Sequence, residues 1–137
     1  MVSALGLDIG RKRIGVAGCD RTGLIATGLM TLRRRSFAQD IAELQQVARE
    51  RQAEILVVGL PYRLDGEIGA QARQVKRLAG RLGRALNLPV VYMDERLTSV
   101  TAKEQMIAAG QSPAQEKGEV DRRAAAIILQ DWLDSKR

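Results

Sequence analysis

Leu5-Gly6-Leu7-Asp8-Ile9-Gly10-Arg11-Lys12-Arg13-Ile14-Gly15-Val16-Ala17 is the stretch whose reading decides the fold. Residues 2–9 read as a buried strand closed by Gly10, and 14–17 as a second strand. The polar residues between them leave room only for a tight turn, so the two strands are antiparallel neighbours. Along the first strand, Leu5, Leu7 and Ile9 share one face, while Ala4, Gly6, Asp8 and Gly10 share the other. Gly15 and Ala17 alternate in the same way against Ile14 and Val16. The small residues form a shallow floor where backbone and a bulky ligand can approach closely, with one carboxylate set in it. A buried, unpaired carboxylate is strongly disfavoured, so Asp8 needs a cation, hydrogen bonds or an opening to water. The competing reading is an Asp that caps the turn at Gly10.

Outward from this hairpin, Asp20-Arg21-Thr22-Gly23 turns the chain into a third strand over 24–32. At Ser36 the hydrophobic period changes. Ser36 with Gln39 is a capping-box start, and Ile41, Leu44, Val47 and Ala48 supply a helical stripe. Ile55-Leu56-Val57-Val58, bounded by Gly59 and Pro61, reads as a strand buried on both faces. A loop containing Asp65-Gly66 leads to a second helix with Val75, Leu78, Ala79, Leu82 and Leu86 inward, and 89–93 is the next buried strand. Thr101 with Glu104 suggests the cap of a short helix ended by Gly110. Residues 111–119 read as a mobile loop, followed by a last helix over 121–134 with Trp132 in its inner face. The order βββαβαβαα predicts an α/β domain over 1–137 with a mixed five-stranded sheet, antiparallel in its first three strands, parallel in the remainder and flanked by helices.

Three acidic positions stand out at element ends. Asp8 is the first. Asp94-Glu95-Arg96 follows the last strand, where open α/β sheets collect ligands; an exposed, acidic strand-to-helix turn is the plainer alternative. Asp121 opens the final helix, where capping and ligand roles both favour the ionised carboxylate. Acids from distant segments converging on one site would select Mg²⁺ or Mn²⁺, because hard oxygen donors disfavour softer metals. Two such ions support phosphodiester hydrolysis.

The chain has no histidine, which excludes His-based triads and His metal ligands, and its lone Cys19 excludes an internal disulfide and fits a reducing cytoplasm. Nothing marks it for export or membrane insertion. Of 137 residues, 22 are Lys or Arg and 16 Asp or Glu, a net charge of +6 that makes nucleic acid the first candidate partner. Arg11, Lys12 and Arg13 beside Asp8, and Arg96 beside Glu95, are candidate phosphate contacts. Arg33-Arg34-Arg35 is at most an electrostatic track. Aromatics are only 3% of the chain, and Tyr62 is the one chosen as a candidate base-stacking residue.

The opening stretch resembles the signature of the YqgF family, also called RuvX-like, of Holliday junction resolvases and pre-16S ribosomal RNA nucleases. Three further blocks match in family order: Val58-Gly59-Leu60-Pro61 with Asp65-Gly66; Asp94-Glu95-Arg96-Leu97-Thr98; and Val120-Asp121 with Ala124-Ala125 and Ile128-Leu129. Ser99 departs from the family's more frequent second Thr but keeps a hydroxyl. The resemblance implies a ribonuclease H-like fold and metal-dependent cleavage, with Asp8, Glu95 and Asp121 as catalytic metal ligands and Asp94 competing with Glu95. It further implies 5′-end maturation of pre-16S RNA in ribosome biogenesis, on structured RNA or pre-ribosomal particles. Branched-DNA resolution is the alternative, as is a non-catalytic RNA-binding assembly factor. Resolution would need two coordinated sites and hence a homodimer; RNA trimming is open to a monomer.

Overall fold

The computed structural model describes residues 2–61, 68–95 and 98–136. Strands β1 (Ala4–Ile9), β2 (Arg13–Cys19) and β3 (Ala26–Arg33) are followed by helix α1 (Phe37–Glu50), β4 (Ile55–Leu60), α2 (Ala70–Leu86), β5 (Val90–Asp94), α3 (Thr98–Ala108) and α4 (Lys117–Ser135). The sheet order is β3-β2-β1-β4-β5. β1–β2 and β2–β3 pair antiparallel, while β1–β4 and β4–β5 pair parallel, as the element order predicts. The first hairpin is closed by Gly10 N donating to Arg13 O at 2.8 Å. Arg34 fastens the same turn from β3's end, donating from Nη1 to Gly10 O at 2.8 Å.

Each face of the sheet has its own core. On one, Leu5, Leu7, Ile14, Val16, Leu56, Val58 and Leu60 pack against Leu44 of α1 and Val75, Ala79 and Leu82 of α2. On the other, Ala4, Ala17 and Val57 meet Ile128, Leu129, Trp132 and Leu133 of α4. Helix α3 rests on α4 through Ala102 and Met106 against Val120 and Ala124. The Ser36 cap forms as the sequence predicts, its hydroxyl accepting from Gln39 N.

Three expectations change. β3 begins at Ala26 rather than Leu24, because the Asp20 carboxylate accepts from Leu24 N and Ile25 N and holds both residues in the turn. Helix α3 starts at Thr98, three residues ahead of the Thr101 cap, with Thr98 N bonded to Glu95 O. Helix α4 starts at Lys117 rather than Asp121, so 117–119 are helical and the segment before them is tied by Glu116 N to Ser112 O. Gly118 is a poor helix former. Tertiary contact overrides that preference: Thr31 of β3 donates its hydroxyl to Gly118 O at 2.6 Å.

The floor of small residues is also reassigned. Helix α4 itself lies on it: a Cβ added at Gly6 would meet Leu129 Cβ at 2.7 Å, and one at Gly28 would meet Arg122 Cβ at 2.9 Å. The missing side chains let the helix backbone approach the sheet, the usual meaning of glycine inside a strand.

Candidate active site

The alternation of β1 places Asp8 on the α4 face, paired in register with Gly15 of β2. Glu95 reaches it from two strands away. On β5, Val91 and Met93 face α4, whereas Val90 and Tyr92 face the opposite core. Glu95 continues the first set, and its N–H extends the ladder to Leu60 O at 3.1 Å. Asp94 is out of phase and exposed. Gly59 of β4 lies between: a Cβ there would fall 2.8 Å from Glu95 Cδ and 2.5 Å from Ile128 Cδ1. The absent side chain is the window through which Glu95 crosses β4 to Asp8.

The two carboxyls are hydrogen-bonded to each other. Burial, then the charge of Asp8 and its hydrogen bond, then the charge of Asp94, push Glu95 up to about 9. Asp8 is also raised, by burial foremost and by the charge of Asp121, while its bond to Glu95 opposes the shift. Glu95 therefore holds the proton at neutral pH and donates it to Asp8. Two half-hidden acids held this way are the sort of perturbed pair that marks functional sites.

Asp121 is in the second turn of α4 and is no N-cap. Gly15 lets it come close: a Cβ on Gly15 would collide with the carbonyl oxygen of Asp121. Its carboxylate, however, turns to Arg13, whose Nε donates to Oδ2 at 2.6 Å. Its charge reaches Asp8, yet among the described residues no three acidic or thiol side chains converge tightly enough to grip one ion. The three acids form a bonded pair with a neighbour that is ion-paired to Arg13.

Arg11 and Lys12 are exposed in the turn above Asp8, and Arg13 is the member of that run drawn into the acids. Arg35 pairs with Glu43 at 3.1 Å, so with Arg34 on Gly10 the arginine run serves the fold more than an electrostatic track. Trp132 is core. Tyr62 and Arg96 lie outside the described residues. Sequence reasoning missed the positioning roles of Gly15 and Gly59, although glycine within an apolar strand was the available signal.

The RuvX family, described as Holliday junction resolvase, matches residues 2–135. A protein of Trichormus variabilis named "Putative pre-16S rRNA nuclease" is 60% identical over 136 residues, covering 99% of this chain and 90% of that protein. A namesake from Rippkaea orientalis is 59% identical over 136 residues, covering 99% and 98%. Among solved structures, Thermus thermophilus RuvC in complex with a Holliday junction substrate superposes with a TM-score of 0.62 at 14% identity, covering 99% of this chain and 96% of that one. The fowlpox virus resolvase bound to Holliday junction DNA gives 0.56 at 11% identity, covering 98% and 99%. These two share the fold, which is ribonuclease H-like. The chain belongs to the RuvX family, and its chemistry is that of a phosphodiester-hydrolysing nuclease.

Proposed function

For this member of the RuvX family, we propose that residues 1–137 form one nuclease domain that matures the 5′ end of pre-16S ribosomal RNA in the cytoplasm, using Mg²⁺ or Mn²⁺ held by Asp8, Glu95 and Asp121. The observation that carries the reading is the bonded Asp8–Glu95 pair at the carboxyl ends of β1 and β5, with Asp121 arriving from α4. The relatives' shared name supports RNA as substrate. The family's description keeps branched DNA as the second reading.

The donor set suits a hard divalent cation. It consists of carboxylates alone, and the proton trapped between Asp8 and Glu95 is what a cation there would displace. Phase along β5 supports Glu95 over Asp94 as the middle ligand. When bound, such ions activate water and stabilise the leaving oxygen. The chain's own residues do the rest. On cation binding Glu95 would lose its proton to solvent and become a carboxylate ligand. Arg13 holds Asp121 in place and offers its remaining N–H groups to a phosphate oxygen. Arg11 and Lys12 add positive charge where a backbone would approach. Membrane association plays no part in this reading, and among the described residues no helix is long and apolar enough to cross a bilayer.

The test is cleavage of a pre-16S leader RNA and of a four-way DNA junction, each with Mg²⁺, Mn²⁺ or EDTA. RNA cleavage that needs metal and is suppressed in Asp8→Asn, Glu95→Gln and Asp121→Asn is expected. Cleavage of the junction alone would transfer the reading to DNA. Metal-independent RNA binding with no cleavage of either would leave an assembly factor.

A further inference from the structure

We propose that the cleft between α3 and the first turns of α4 is the track for the substrate's phosphodiester backbone, with Lys103 and Lys117 as its phosphate contacts. The proposal rests on the nuclease reading and extends it to how a strand is led to the acids. Packing of Ala102 and Met106 against Val120 and Ala124 joins the two helices at their base. Above that seam the cleft encloses about 520 Å³, with Arg13, Ser99, Lys103, Lys117 and Asp121 along it and Pro113 among its apolar walls. Asp121 belongs both to this cleft and to the acidic site, so the cleft reaches one of the three acids.

Its charge is suited to a polyanion. Among the described residues of its lining, three cations face one acid, and that acid is already paired with Arg13. Lys103 and Lys117 are exposed, and among the described residues neither makes an ion pair. Two other grooves are unlike it, whereas the one beside Gly10 shares its cationic lining through Arg11 and Arg34. In the one beside Gly28, Arg122 and Arg123 are held by Glu119 at 2.7 and 3.0 Å. The one around Asp20, Glu50 and Glu54 is acidic overall. Among the described residues, the α3–α4 cleft has no aromatic side chain in its lining, so none of them offers the bases a stacking surface. Flexible ammonium groups act as point charges that tolerate many phosphate positions. The track therefore holds backbone and is indifferent to base identity.

The experiment measures binding of single-stranded RNA leader and of unstructured oligomers of differing base composition, in EDTA across a salt series, with RNA cleavage followed in parallel with Mn²⁺. The proteins are the native chain, Lys103→Gln/Lys117→Gln, and Lys76→Gln on α2 as a distant charge control. The double variant is expected to bind roughly 5–20-fold more weakly at low salt, irrespective of base composition. Its plot of log affinity against log salt should be shallower by about 1.4, two phosphate contacts at about 0.7 each. KM should rise with kcat at saturating RNA retained. Unchanged affinity and slope in the double variant would overturn the track, as would an equal loss in Lys76→Gln. If the native chain binds RNA through these lysines but never cleaves, the nuclease reading falls and the track stands. If it cleaves while the double variant binds normally, the track falls alone. Failure of the native chain to bind RNA ends both.

Discussion

The two faces of the sheet use opposite materials for opposite ends. The face under α1 and α2 is paved with Leu, Ile and Val side chains, and its contribution is burial at roughly 25 cal/mol for each Å² of apolar surface removed from water. The face under α4 substitutes Gly6, Gly15, Gly28 and Gly59 at positions where any side chain would collide with the helix or with Glu95. Less apolar side-chain area is available there. In exchange, one helix backbone lies almost on the sheet and carries Asp121 to the level of Asp8. The lesson is that the acids are positioned by what is missing beside them. One face holds the domain together, and the other sets distances for chemistry.

The sharpest way to separate the two roles is to remove charge from the α4 face. Asp8→Asn and Glu95→Gln should each lower cleavage by about 10²–10³-fold or more, the scale of losing a group that stabilises developing charge. Their melting temperatures should hold or rise, since the bonded pair is held under repulsion and burial. Calorimetry alongside the cleavage assay checks both. On the opposite face, Leu7→Ala should cost about 2–5 kcal/mol in urea unfolding, with the folded fraction cleaving normally. That result reverses the pattern of the acids.

Gly15→Ala and Gly59→Ala should do both kinds of damage. A methyl at either position overpacks a seam and costs about 1–3 kcal/mol. It also pushes Asp121 or Glu95 out of place, so cleavage should fall tens-fold beyond what the stability loss explains. Full activity in Gly59→Ala would show that Glu95 has another route to Asp8.

The pH dependence is read in metal-free protein. Glu95 is raised from its ordinary 4.5 to about 9, so between those values the folded chain binds more protons than the unfolded one. Stability should therefore be fully retained below that window, fall as pH rises through it and level above it. Saturating Mn²⁺ should flatten or invert the trend, because a cation replaces the proton. The smallest effect is expected at Gly80, where a Cβ meets nothing nearer than Arg84 Nη1 at 3.6 Å. Gly80→Ala should stabilise the protein by about 0.5–1 kcal/mol through helix propensity and a less flexible unfolded chain, a gain no glycine under α4 can give.

The element order, the antiparallel start and parallel remainder of the sheet, and the face occupied by Asp8 were legible because a period of two has a single interpretation when apolar residues alternate with glycine. Which of Asp94 and Glu95 shares the α4 face with Asp8 was also latent in the sequence, since β5's alternation continues one residue beyond its end. The start of α4 was not legible. Gly118 and the polar residues before it carry the local signature of a loop, and the hydroxyl that holds them helical comes from Thr31, 87 residues away in the chain. The same distance hides the Arg13–Asp121 pair, separated by 108 positions. Lys103 and Lys117 looked like ordinary surface charge until α3 and α4 were set side by side.

The most direct measurement is anomalous diffraction from crystals grown with Mn²⁺. Joint ligation by the acids predicts a manganese peak within roughly 2.0–2.3 Å of carboxylate oxygens of both Asp8 and Glu95, with their mutual hydrogen bond broken. Manganese bound elsewhere, with those two carboxyls still sharing their proton, would contradict it.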